Sequence, residues 1–73
     1  MVGVSVVIPV YNEEGNILQL HSELSKSLVN FDYELIFVND GSVDNTQSLL
    51  EQIASYDNRI IIVEFRRNFG QSA

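Results

Sequence analysis

Val4-Ser5-Val6-Val7-Ile8-Pro9-Val10-Tyr11-Asn12-Glu13-Glu14 is the stretch from which the rest of the chain can be read. Its first seven residues form an apolar, β-branched run broken only by Ser5 and Pro9, which suits a strand buried on both faces of a parallel sheet. Proline has no N–H for a central ladder, so strand pairing is expected to stop near Pro9. The polar, acidic segment Tyr11–Glu14 then turns the chain. Ile17, Leu20, Leu24 and Leu28 follow at helical spacing, which predicts a helix from roughly Glu14 to Leu28, with Glu13 and Glu14 at the positive end of its dipole.

The same order recurs further on. Asn30 and Asp32 mark a return loop, and Tyr33–Val38 is rich in the aromatic and branched residues of strands. Asp40-Gly41-Ser42 breaks that strand. Asp44 with Gln47 three positions later has the form of a capping box, and Leu49, Leu50 and Ile53 give a second helix its apolar stripe. That helix is expected to end around Tyr56-Asp57-Asn58. Ile60–Phe65 reads as a third strand, and Arg66–Ala73 starts another loop. The fold class is therefore α/β. A β-α-β-α-β order with right-handed crossovers is half of a doubly wound, mainly parallel sheet. Both acidic loops then leave the carboxyl edge of that sheet, where open α/β folds bind ligands.

The chain has 73 residues and no cysteine, which limits it to at most one domain, and a single partial domain is expected. A chain of this length buries only about 60% of its unfolded surface. No apolar run reaches the ~20 residues needed to span a bilayer, and no signal-peptide pattern opens the chain. The net charge is −6 and unevenly spread: up to Asn58 the one cation is Lys26, while Arg59, Arg66 and Arg67 crowd the end. An acidic chain without a basic stripe repels a phosphate backbone, which excludes nucleic acid as a partner.

Each candidate residue has a plain structural role beside its functional one. Tyr11 at a strand end can stack on a flat ligand or simply pack. Asp40 can accept a hydrogen bond from a heterocyclic N–H, or serve ordinary Asp-Gly-Ser turn chemistry by bonding its own backbone. Gly41 lets the chain turn closely beside it. Glu13 can serve the helix terminus. Asn12, Ser42, Asp44 and Thr46 read as loop and capping residues that bind backbone groups. His21, the only histidine, falls in mid-helix away from both loops, with no second ligand at a useful spacing.

Val7-Ile8-Pro9-Val10-Tyr11-Asn12-Glu13-Glu14 and Val38-Asn39-Asp40-Gly41-Ser42-Val43-Asp44-Asn45-Thr46 together resemble the opening of family 2 glycosyltransferases with the GT-A fold. Arg66–Ala73 is similar to the branch that moves sugars from nucleotides to polyprenyl phosphates. The resemblance implies a nucleotide-sugar site with Tyr11 on the base, Asp40 contacting it, Gly41 beside it, Pro9 shaping the wall beneath it and Glu13 on the ribose. Arg66, Gly70 and Gln71 are implied as possible phosphate or loop contacts. Gln71 stands where relatives carry lysine, which weakens charge neutralisation from that position.

The resemblance further implies Mg²⁺ or Mn²⁺ held by an Asp-x-Asp motif, to offset the donor diphosphate. This chain contains no such motif. The expectation is an N-terminal, nucleotide-binding piece, residues 1–73, truncated before the metal-binding motif, with no catalytic or metal-ligating residue of its own and no turnover alone. The full-length enzyme is expected to act by inverting displacement at the anomeric carbon by a polyprenyl-phosphate oxygen, in the cytoplasm or on the cytoplasmic face of a membrane. Two readings of other classes stand beside this one. A nucleotide-responsive or phosphoacceptor module would also place aspartates at strand ends. An assembly piece would pair with a second copy through an open sheet edge, as a homodimer.

Overall fold

β2 (Tyr33–Asp40) is the middle strand of a three-stranded parallel sheet, with β1 (Val4–Val10) on one side and β3 (Ile60–Phe65) on the other. The computed structural model describes residues 3–65. The connections are α1 (Ile17–Ser27) and α2 (Thr46–Ala54), so the element order is β-α-β-α-β. β1 and β3 match the expected spans. β2 runs on through Asp40, which pairs with Phe65, because the turn needs only Gly41, held at φ 75°. Such a positive φ is the conformation glycine adopts without steric cost. Pairing stops near Pro9, as expected: Pro9 itself sits in the ladder opposite Val38, and the next pair, Val10 with Asn39, is the last between β1 and β2. β1 is an edge strand among the described residues, and an edge strand tolerates a residue without an N–H.

The core lies on one face. Tyr33, Leu35 and Phe37 of β2, Ile60 of β3 and Val10 of β1 are buried against Ile17 of α1 and Leu50 and Ile53 of α2. Val4, Val6 and Ile8 pack at the margin of this cluster. Crossovers of one hand in a sheet ordered β1-β2-β3 place both helices on the same side. Among the described residues nothing covers the other face: Val7, Ile61, Val63 and Phe65 are exposed. The expectation that Val4–Val10 is buried on both faces is thus corrected. Its apolar character is that of a two-sided strand, but α1 and α2 supply only one cover.

α1 begins at Ile17, three residues later than expected. Asn16 occupies the N-cap position, and the first turn contains no acidic residue. The backbone carbonyl of Glu13 accepts from the Asn16 N–H at 2.8 Å and the Ile17 N–H at 3.1 Å, so residues 13–16 form a turn ahead of the helix. Midway along α1, Nε2 of His21 lies 2.7 Å from Oδ2 of Asp57 in the α2–β3 turn, with the Tyr56 ring edge-on to the imidazole. His21 therefore clips α1 to that turn, at a distance from both acidic loops. Arg59 is likewise engaged, its guanidinium 4.6 Å from the centre of the buried Tyr33 ring.

Burial raises the Asp57 carboxyl, but the bond from His21, the Arg59 N–H and the charges of both residues outweigh it. The net result is a value below the ordinary 3.8. A carboxyl depressed in the folded state contributes stability that is fully present above its unfolded pKa and lost as pH falls through its folded one. Stability is therefore expected to fall with acid below about pH 4, and Asp57→Asn should make that fall shallower in urea titrations at a series of pH values. An unchanged acid slope in the variant would show that the clip contributes nothing to acid sensitivity.

Candidate functional site

The ends of β1 and β2 bring the two acidic loops together. Val10 pairs with Asn39, so Tyr11 and Asp40 each stand one step beyond that pair on neighbouring strands, which lie about 4.8 Å apart in a sheet. Tyr11 is 51% exposed, and Asp40 is exposed at the end of β2. Glu13 and Gly41 are half-buried beside them, while Pro9 is exposed. All five nucleotide-site candidates thus gather at one rim. Arg66, Gly70 and Gln71 lie outside the described residues.

Hydrogen bonds between residues about thirty positions apart fasten the loops to each other. The Asn12 N–H donates to Ser42 Oγ at 2.8 Å, and Asn12 Oδ1 accepts from the Val43 N–H at 2.9 Å. Asn12 adopts φ 50°, a left-handed conformation that asparagine tolerates better than most residues. The Glu13 N–H donates to Thr46 Oγ1 at 2.8 Å, and the Glu14 N–H to Asp44 Oδ2 at 3.3 Å. In return, Glu14 Oε1 accepts from the Asn45 N–H at 2.8 Å. Asn39, 1% exposed, fixes the base of the second loop: its Oδ1 accepts from the Ser42 N–H at 3.1 Å and its Nδ2 donates to Gln47 Oε1 at 2.8 Å.

These bonds revise the capping assignments. Asp44 and Gln47 do not form a capping box. Asp44 Oδ1 accepts from the Thr46 N–H at 2.9 Å and the Thr46 hydroxyl at 2.5 Å, while Gln47 turns to Asn39. Burial raises the Asp44 carboxyl, yet the bonds from Thr46 and Glu14 outweigh it and hold the group below its ordinary value. Glu14 serves the start of α2, not that of α1. Glu13 Oε1 accepts from Asn16 Nδ2 at 3.1 Å, which leaves its second carboxylate oxygen for other partners. Sequence reasoning passed over Asn39 altogether. An asparagine ending an apolar strand, three residues before Ser42, is the signal that could have found it.

A cleft of about 320 Å³ opens beside the free edge of β1, lined by Pro9, Val10, Glu13, Asn16, Gln19, Leu20 and Glu23. It adjoins two of the candidates, Pro9 and Glu13, but not Tyr11, Asp40 or Gly41. Among the described residues, no group of three or more His, Cys, Asp or Glu gathers as a cation site, and no helix is long and apolar enough to cross a membrane.

Two joined acidic loops thus stand at the carboxyl rim of a parallel sheet, the edge at which open α/β folds bind ligands. The sequence profile of Glycosyl transferase family 2 matches residues 5–73, and the chain belongs to that family. It is 42% identical over 72 residues to a putative glycosyltransferase, CsbB, of Bacillus subtilis (strain 168), covering 96% of this chain and 22% of the relative. It is 49% identical over 71 residues to the undecaprenyl-phosphate 4-deoxy-4-formamido-L-arabinose transferase of Proteus mirabilis (strain HI4320), covering 93% and 22%. A prophage bactoprenol glucosyl transferase homolog of Escherichia coli (strain K12) is 36% identical over 70 residues, covering 93% and 23%. The chain spans about a fifth of the length of the curated relatives it matches.

Proposed function

We propose that this chain is the nucleoside-binding half of the catalytic domain of a glycosyltransferase. The whole enzyme would move a sugar from a nucleoside diphosphate to a polyprenyl phosphate, with inversion, at the cytoplasmic face of a membrane. The observation that carries the reading is the rim itself: Tyr11 and Asp40, each one residue beyond the paired Val10 and Asn39 of adjacent parallel strands, in a chain of this family. The relatives named for undecaprenyl phosphate and bactoprenol support the acceptor class.

In this reading Tyr11 stacks on the base, Asp40 accepts from its ring N–H, Gly41 leaves room for it, Pro9 forms the wall beneath it and Glu13 accepts from the ribose. The described residues do not fit a divalent cation, since no three of their carboxylates or histidines gather at one point and, in the two loops, Glu14 and Asp44 are already bonded to backbone N–H groups. Mg²⁺ or Mn²⁺ is assigned to residues outside them. The contribution of this half is to hold and orient the donor.

One stacked base is worth about 1–3 kcal/mol and one hydrogen bond to a charged group about 1.5–3 kcal/mol. Before the cost of association, that sum is comparable with the ~4 kcal/mol of a millimolar complex. Titration of the isotope-labelled chain with uridine diphosphate and guanosine diphosphate is therefore expected to shift the amide signals of Tyr11 and Asp40 at millimolar ligand. A well-dispersed spectrum that answers to neither nucleotide would overturn the binding role.

A further inference from the structure

We propose that Thr46 is a positioning residue for this site, locking the Tyr11–Glu13 arm and the Asp40–Gly41 arm into one preformed unit; the inference rests on the nucleoside-binding reading above. Thr46 is 0% exposed, although it opens α2 beneath two polar loops. Its hydroxyl receives the Glu13 N–H at 2.8 Å and gives its own proton to Asp44 Oδ1 at 2.5 Å. The same carboxylate receives the Glu14 N–H through Oδ2 at 3.3 Å. One buried hydroxyl thus joins the backbone of the first loop to an acidic side chain of the second.

The direction of these bonds matters. The Glu13 amide needs an acceptor and the Asp44 carboxylate needs a donor, and only a hydroxyl in this position meets both. Valine has the same shape but would leave the part-buried Glu13 N–H without its acceptor and take from Asp44 Oδ1 one of its two donors, the backbone N–H of residue 46 remaining. Serine restores both bonds. Nearer the rim, Asn12 repeats the pattern with Ser42 Oγ and the Val43 N–H, in a left-handed conformation that these contacts hold. Two ties, one buried and one exposed, therefore set the spacing between Tyr11 and Asp40 before any ligand arrives. Such preorganisation raises affinity by removing ordering cost from the binding step.

The test compares Thr46→Val, Thr46→Ser and Ser42→Ala with the unaltered chain, titrating uridine diphosphate and guanosine diphosphate by amide NMR while monitoring the fold by spectral dispersion. The expected result is about tenfold weaker binding for Thr46→Val, with the Tyr11 and Asp40 signals no longer following a single binding curve, and recovery to within about twofold in Thr46→Ser. Wild-type affinity in a folded Thr46→Val variant would overturn the positioning role and leave the nucleoside site standing. No response from the unaltered chain would remove the site itself, and this inference with it. If Thr46→Val fails to fold, Ser42→Ala decides: a loss of threefold or more supports the clasp, and unchanged affinity overturns it.

Discussion

Asp40→Asn is expected to weaken binding of uridine or guanosine diphosphate by about 10- to 100-fold, the largest effect of any single change at the rim. A hydrogen bond from a ring N–H to a charged carboxylate is worth about 1.5–3 kcal/mol, and each 1.4 kcal/mol is a factor of ten. Asparagine keeps the size of the side chain but removes the charge and replaces one acceptor with a donor. Glu34 provides the control. It lies at the opposite end of the same strand, where its Oε2 accepts from Ser5 Oγ at 2.7 Å, so Glu34→Gln should leave nucleotide binding unchanged. Equal affinities for Asp40→Asn and the unaltered chain, measured by NMR titration with dispersion as the fold check, would show that Asp40 serves only the turn.

Phe37→Ala is expected to remove most of the stability of the fold. Phe37 is 0% exposed at the middle of the central strand and packs in the single cluster that joins the sheet to the helices. Truncating a buried phenylalanine costs about 3–5 kcal/mol, whereas a domain of this length is worth only about 4–11 kcal/mol in total. Val7 supplies the contrast. It is 61% exposed on the bare face, so Val7→Ser is expected to change stability by less than about 0.5 kcal/mol. Urea denaturation followed by circular dichroism measures both. If Phe37→Ala leaves too little folded protein to titrate, Phe37→Leu should show a smaller loss in the same direction. Similar effects at positions 7 and 37 would contradict a one-sided core.

The strands were legible because their signal is local. A run such as Ile60–Phe65 needs no knowledge of its neighbours to be recognised as extended, and its observed bounds are the expected ones. The alternation of elements followed from the change of apolar period along the chain, and the gathering of both loops at one rim from the parallel strands that this alternation implies. What could not be read was set by partners far along the chain. Glu14 looks like a first-turn residue of α1 until the Asn45 N–H claims it across thirty-one positions. Asp44 and Gln47 have capping-box spacing, yet Thr46 and Asn39 take their side chains. Val7 has the composition of a buried residue, but whether a face is covered depends on where helices lie, which composition does not encode. At the rim, the residue types suited to a nucleoside were visible, whereas the bonds that hold them in register were not.

The clasp between the loops also bears on when the rim comes into being. Its bonds join residues 30 to 33 positions apart, so none can form until the chain between them has closed and β1 has aligned with β2. Closure of that span is an entropic cost met before any of these contacts returns energy. A slip of one residue in the ladder would turn every side chain of β1 to the wrong face and carry Asn12 away from Ser42. Recognition competence is therefore a late property of folding, and a chain that binds has already proofread its own strand alignment.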